Sequence, residues 1–90
     1  MKKYLIERNI PGVHEFTPEQ YAGATEASNA ALAKLAPRIQ WVESFITENQ
    51  TLCIYIADDE SVIHEHAKLS GFPANKITEV GRKIDPMTRA

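Results

Sequence analysis

Side chains alternate between two faces with a period of two over residues 39–47, where Trp41, Glu43 and Phe45 fall on one side and Val42, Ser44 and Ile46 on the other. This pattern, with its β-branched and aromatic residues, is typical of a β-strand. Two further runs rich in apolar residues, at residues 3–8 and 51–57, are also predicted to be strands. Glu48, Asn49 and Gln50 form a short polar stretch between the strands at 39–47 and 51–57, which are therefore expected to form a hairpin. A weaker fourth strand is predicted over residues 77–84.

Between the strands, apolar residues recur at steps of three and four, which predicts two helices. Thr17 is expected to cap the first helix, with Pro18 at its first position and Gln20 completing a capping box. Pro37 prevents this helix from continuing. The residues expected to face inward are small or apolar: Tyr21, Ala24, Ser28, Ala31 and Leu35.

The second helix is expected to begin after a cap at Asp58 or Asp59 and to end at Gly71. Its inward stripe is predicted to be Ile63, His66, Ala67 and Ser70, flanked by Val62 and Leu69. The order βαββαβ predicts a ferredoxin-like α+β fold, in which two helices cover one face of an antiparallel sheet. Ninety residues are too few for two cores, so residues 1–84 are expected to form one domain and residues 85–90 a C-terminal tail.

Both faces of the predicted sheet carry apolar side chains, whereas two small helices can cover only one. The aliphatic residues are assigned to the helix side: Ile6, Val42, Ile46, Leu52, Ile54 and Ile56. The open side then carries Leu5, Glu7, Trp41, Glu43, Phe45, Cys53 and Tyr55. Exposed aromatic clusters usually mark an interface or a ligand site. We therefore expect a homodimeric α+β barrel, with a cavity between the two sheets.

Composition and charge narrow the function classes. The net charge is -2 and no basic stripe is present, so nucleic acid is not an expected partner. No apolar run is long enough to span a membrane, and the first residues lack the pattern of a signal peptide. The single cysteine, Cys53, excludes an internal disulfide and favours a cytoplasmic protein.

The ligand-binding candidates are the polar and aromatic residues of the open side: Glu7, Trp41, Glu43, Phe45, Cys53 and Tyr55. A carboxylate between apolar walls can act as a general base. The alternative, which we favour, is that Glu7 pairs with Arg8 or Lys3 and Glu43 with a base of a partner chain. Cys53 is expected to be an inert packed thiol, and no catalytic residue is assigned.

Three histidines are weak candidates for metal binding: His14, His64 and His66. His64 and His66 are two residues apart on a helix and so do not share a face. His66 is expected to point inward and to bond a backbone carbonyl. His14 is predicted to lie in a loop.

Three segments carry a family resemblance: KYLIER at residues 3–8, TLCIYIA at 51–57 and HAKLSGFPAN at 66–75, continuing through Glu79 and Val80. They resemble a family of small bacterial proteins of similar length, some described as nickel-binding. The resemblance implies a ferredoxin-like fold in a dimeric α+β barrel. The family's nickel ligands would fall at Ile6, Arg8, Ile56 and Phe72, which cannot bind a metal, so this chain is expected to have lost that site.

Three function hypotheses follow, in order of preference. The first is a dimeric module that binds a small molecule in the cavity between the sheets. The second is a protein that binds nickel or another divalent metal through other ligands. The third, an enzyme of the small monooxygenase or isomerase kind, rests on fold analogy alone.

Overall fold

The computed structural model describes residues 1–89. A short 3-10 helix at Val13–Glu15 precedes the first α-helix. The strands and α-helices follow the predicted order: β1 (Lys2–Asn9), α1 (Pro18–Leu35), β2 (Ile39–Ile46), β3 (Gln50–Ala57), α2 (Glu60–Ser70) and β4 (Lys76–Val80). The sheet is antiparallel with strand order β2-β3-β1-β4, which places the first and third strands at its centre. The predicted ferredoxin-like α+β fold is confirmed.

Both helices begin and end where their capping residues predict. The hydroxyl of Thr17 accepts a hydrogen bond from the backbone N–H of Gln20 at 3.2 Å, and the Gln20 side chain accepts one from the Thr17 N–H at 2.8 Å. Asp59 accepts from the N–H of Val62 and caps α2. Gly71 ends α2 at a positive φ of 82°, a conformation that favours glycine.

The core lies between the helices and one face of the sheet. Its buried side chains come from the two central strands, from β2 and from both helices: Tyr4, Ile6, Leu35, Ile39, Cys53, Tyr55, Ala57, Val62 and Ile63. No helix described in residues 1–89 is both long and apolar enough to cross a membrane. β4 ends at Val80, before Gly81 and four residues earlier than predicted.

The face assignment of β3 was wrong. Cys53 and Tyr55 are buried on the helix side, because they lie directly opposite Ile6 and Tyr4 of β1 and opposed residues share a face. The aliphatic residues of this strand are half-buried on the open side: Leu52, Ile54 and Ile56. Both faces of β3 are apolar, so hydrophobicity alone could not identify the inner one.

The face assignment of β2 was wrong at Trp41 and Val42, because the strand register shifts between Trp41 and Glu43. Trp41 lies opposite Tyr55 and packs against the core on the helix side, not on the open side. A bulge places one extra residue in the strand and reverses the alternation after it. Glu43 and Phe45 consequently lie on the open side as predicted, but Val42 lies there with them.

Candidate functional site

A cavity of about 170 Å³ lies between α1 and the helix side of the sheet. Five aromatic side chains line it, together with aliphatic and small polar ones. The aromatic residues come from the chain before α1, from α1 itself, from the sheet and from the loop after α2: Phe16, Tyr21, Trp41, Tyr55 and Phe72. Four of these rings form two contacting pairs. Phe16 and Tyr21 are tilted with centroids 5.6 Å apart, and Trp41 and Tyr55 are stacked at 6.5 Å.

Short side chains on α1 leave this space open. Ala24, Thr25 and Ser28 line the cavity on one face of the helix, where longer side chains would fill it. The hydroxyl of Tyr21 donates to the carbonyl of Val13 at 2.6 Å and so ties the start of α1 to the preceding 3-10 helix. The inward stripe predicted for α1 therefore forms both core and cavity wall.

A buried polar cluster lies at the base of the cavity and contains Ser28, Tyr55 and His66. The Ser28 Oγ is 3.1 Å from the His66 Nε2 and 3.4 Å from the Tyr55 hydroxyl oxygen. His66 is 0% exposed, so its predicted inward direction is confirmed, and its side-chain partner is the Ser28 hydroxyl. The His66 Nδ1 has no hydrogen-bond partner within residues 1–89.

Burial controls the protonation of this cluster. Desolvation, assisted by the positive charge of Arg8, lowers the pKa of His66 to about 4. Desolvation likewise raises the pKa of Tyr55, although the hydrogen bond to Ser28 and the charge of Arg8 act in the opposite direction. Both side chains are therefore neutral at neutral pH, and the permanent charge of the region belongs to Arg8.

Arg8 lines the cavity and is only 3% exposed. Its Nη1 donates to the carbonyl of Pro73 at 2.9 Å, and its guanidinium carbon lies 5.7 Å from the centroid of the Tyr55 ring. Its Nη2 is buried without an acceptor in residues 1–89. The sequence interpretation missed Arg8 as a site residue. The signal was present, because the alternation that turns Ile6 inward also turns Arg8 inward.

The structure divides the six predicted ligand-binding residues between the two faces of the sheet. Trp41, Cys53 and Tyr55 line the cavity beneath α1, and the Cys53 thiol is buried 3.4 Å from the Thr51 hydroxyl. The other three lie on the open face: Glu7, Glu43 and Phe45. The ion pairs expected for Glu7 with Lys3 or Arg8 are absent from residues 1–89.

The three histidines lie apart. His14 Nδ1 is 2.9 Å from the carbonyl oxygen of Glu48, His64 is exposed on α2, and His66 is buried in the cluster described above. Within residues 1–89 of one chain, no three His, Cys, Asp or Glu side chains are placed to hold a metal ion together.

The positions that the resemblance aligns with nickel ligands do not fit a metal in this chain. Ile6 and Arg8 face the helices, Phe72 lines the cavity and Ile56 lies on the opposite face of the sheet. None offers an electron pair to a divalent cation at neutral pH. The fixed charge of Arg8 would also repel such an ion.

These features define a small ferredoxin-like α+β protein with an apolar cavity beneath its first helix. Over residues 4–80 the sequence matches the family described as nickel responsive protein SCO4226-like, and the chain belongs to this family. The resemblance inferred from the three segments is thereby confirmed.

A comparison with solved structures finds similar folds. The crystal structure of SCO4226 from Streptomyces coelicolor A3(2) has a TM-score of 0.76 and 14% sequence identity, covering 91% of this chain and 99% of that one. At this identity, the likeness establishes the fold. No curated protein sequence matches the chain significantly.

Proposed function

We propose that this protein binds a small organic molecule in the cavity between α1 and the sheet. The observation that supports the proposal most strongly is a preformed space of about 170 Å³ walled by aromatic side chains. Ligand sites are typically concave and mainly apolar, with a few polar groups that fix orientation. An apolar cavity of about 150 Å³ holds a benzene molecule, so a ligand with a single ring fits this volume.

We further propose that the open face of the sheet pairs with a second copy of the chain. Val42 and Phe45 are 50% and 54% exposed there, beside half-buried Leu5, Ile54 and Ile56. Packing two such faces about 10 Å apart would bury these side chains. The cavity lies on the other side of the sheet, so assembly and ligand binding use different residues. The single buried cysteine supports a reducing, cytoplasmic setting.

Trp41 provides the test, because it is the only tryptophan of the chain and lines the cavity. The protein is titrated with benzyl alcohol, a neutral single-ring probe, while the fluorescence of Trp41 is recorded. We expect a saturable change. Ala24→Phe should abolish it by filling the cavity, whereas Ala30→Phe, on an exposed position of the same helix, should retain it. No saturable binding, or equal binding by Ala24→Phe, would refute the proposal.

The family description favours a second candidate, the binding of nickel or another divalent metal. Because the histidines of one chain lie apart, such a site would need ligands from two chains. Native mass spectrometry before and after adding nickel and zinc reports the assembly and the bound metal together. A dimer without stoichiometric metal supports the first proposal. Stoichiometric uptake that is lost in His64→Gln or His14→Gln would favour the second.

An enzymatic role is the least supported. General acid–base chemistry needs an acid–base pair close to a shared pocket. The ionisable side chains that line the cavity are Arg8, Tyr21, Cys53 and Tyr55. The enzyme hypothesis rests on fold analogy alone, so binding is the better supported proposal.

A further inference from the structure

Arg8 carries a permanent charge that is removed from water without a counter-ion. Only 3% of the residue is exposed, and it forms no ion pair within residues 1–89. Burying an unpaired charge is strongly unfavourable, which is why arginine is almost never fully buried unless paired. A negatively charged hydrogen-bond acceptor from outside the chain would therefore stabilise this arginine.

The contacts of Arg8 leave one side of its guanidinium group available. Nη1 is held by the Pro73 carbonyl, and the face of the group lies on the Tyr55 ring within the range of a cation–π interaction. Nη2 is buried without a partner. The group is thus fixed in orientation, with donors unused, at the wall of the cavity.

Three hydroxyls of the cavity lining, those of Ser28, Thr51 and Tyr55, already have contacts. The Tyr55 hydroxyl and the Ser28 Oγ lie 3.4 Å apart, and Ser28 also contacts His66. The Thr51 hydroxyl is the partner of the Cys53 thiol. None of these groups supplies a negative charge at neutral pH.

We infer that the ligand of this cavity is a small carboxylate with a single planar apolar ring, its carboxylate bound by Arg8 and its ring by the aromatic walls. This inference rests on the proposed function. A planar guanidinium matches a carboxylate geometrically, through charge-assisted hydrogen bonds that are stronger than those between neutral groups. The ring size follows from the volume of about 170 Å³.

The test compares benzoate with benzamide, which has nearly the same shape but no charge. Titration calorimetry of the wild-type protein should give benzoate at least about tenfold tighter binding, the range expected for a hydrogen bond to a charged group. Arg8→Met should lose the preference for benzoate over benzamide, whereas Arg8→Lys should keep part of it. Ala24→Phe should bind neither probe.

The outcomes separate this inference from the proposed function. Equal binding of both probes by the wild type would overturn the carboxylate inference and leave the cavity as a binding site for neutral molecules. Binding of neither probe would overturn both. A benzoate preference that persists in Ala24→Phe would place the anion elsewhere and would also overturn the inference. If Arg8→Met does not fold, the comparison of benzoate with benzamide in the wild type and in Ala24→Phe still shows whether the cavity prefers a carboxylate.

Discussion

His66 makes the stability of this protein depend on pH in a window that can be calculated. Its pKa falls from about 6.5 in the unfolded chain to about 4 in the folded protein. The unfolded state therefore binds more protons between these values, so stability is fully present above about pH 6.5 and decreases as the pH falls towards 4. The loss is at most about 3 kcal/mol, and about 2 kcal/mol at pH 5.

Urea unfolding at a series of pH values measures this effect. His66→Gln removes the titrating group, so its free energy of unfolding should vary much less between about pH 7.5 and pH 5. His64→Gln, on an exposed position of the same helix, should retain the wild-type dependence. The pKa values of Asp59 and Asp85 are lowered in the folded protein, so these residues change the free energy of unfolding only at pH values below this range. Equal slopes for the wild type and His66→Gln would refute the assignment of a buried neutral histidine.

Three further predictions concern the sheet and the second helix. We propose a dimer that pairs through the open face, and Phe45→Glu, which places a charge there, should sediment as a monomer in analytical ultracentrifugation. A mass equal to that of a dimeric wild type would contradict pairing through this face. Because the pKa of Tyr55 is raised in the folded protein, the tyrosine ionises first in the unfolded chain, and the free energy of unfolding should fall above about pH 10. Tyr55→Phe should reduce that fall. An alkaline profile identical to that of the wild type would contradict the burial of the Tyr55 hydroxyl as its cause. Asp59→Ala removes the cap of α2 and should cost about 1 kcal/mol in urea unfolding, whereas Asp58→Ala should cost little; equal losses would show that the cap is not the cause.

The fold could be predicted because its signals are local. The capping box of Thr17 and Gln20, the cap at Asp59 and the stop at Gly71 each depend on a few neighbouring residues, and each is confirmed. The hairpin of β2 and β3 also follows from local alternation around a short polar turn. The ends of the strands were predicted less accurately, since β4 ends at Val80 and not at residue 84 as its pattern suggested.

The candidate site could not be predicted in full because it depends on which face of the sheet is buried. Tyr55 was assigned outward as an aromatic residue, yet its hydroxyl finds a partner in Ser28 beneath α1, which makes burial acceptable. The bulge after Trp41 has no clear sign in the sequence. Phe72 reaches the cavity from a loop whose path local patterns do not determine.

Mapping the binding of benzoate by NMR chemical-shift changes in the backbone amides tests directly whether the cavity beneath α1 is the ligand site. We expect the largest changes around this cavity, at residues such as Thr25, Ser28, Ser44 and Cys53. Largest changes at Phe45, Ile54 and Val80 would instead place the ligand on the open face of the sheet and refute the proposed site.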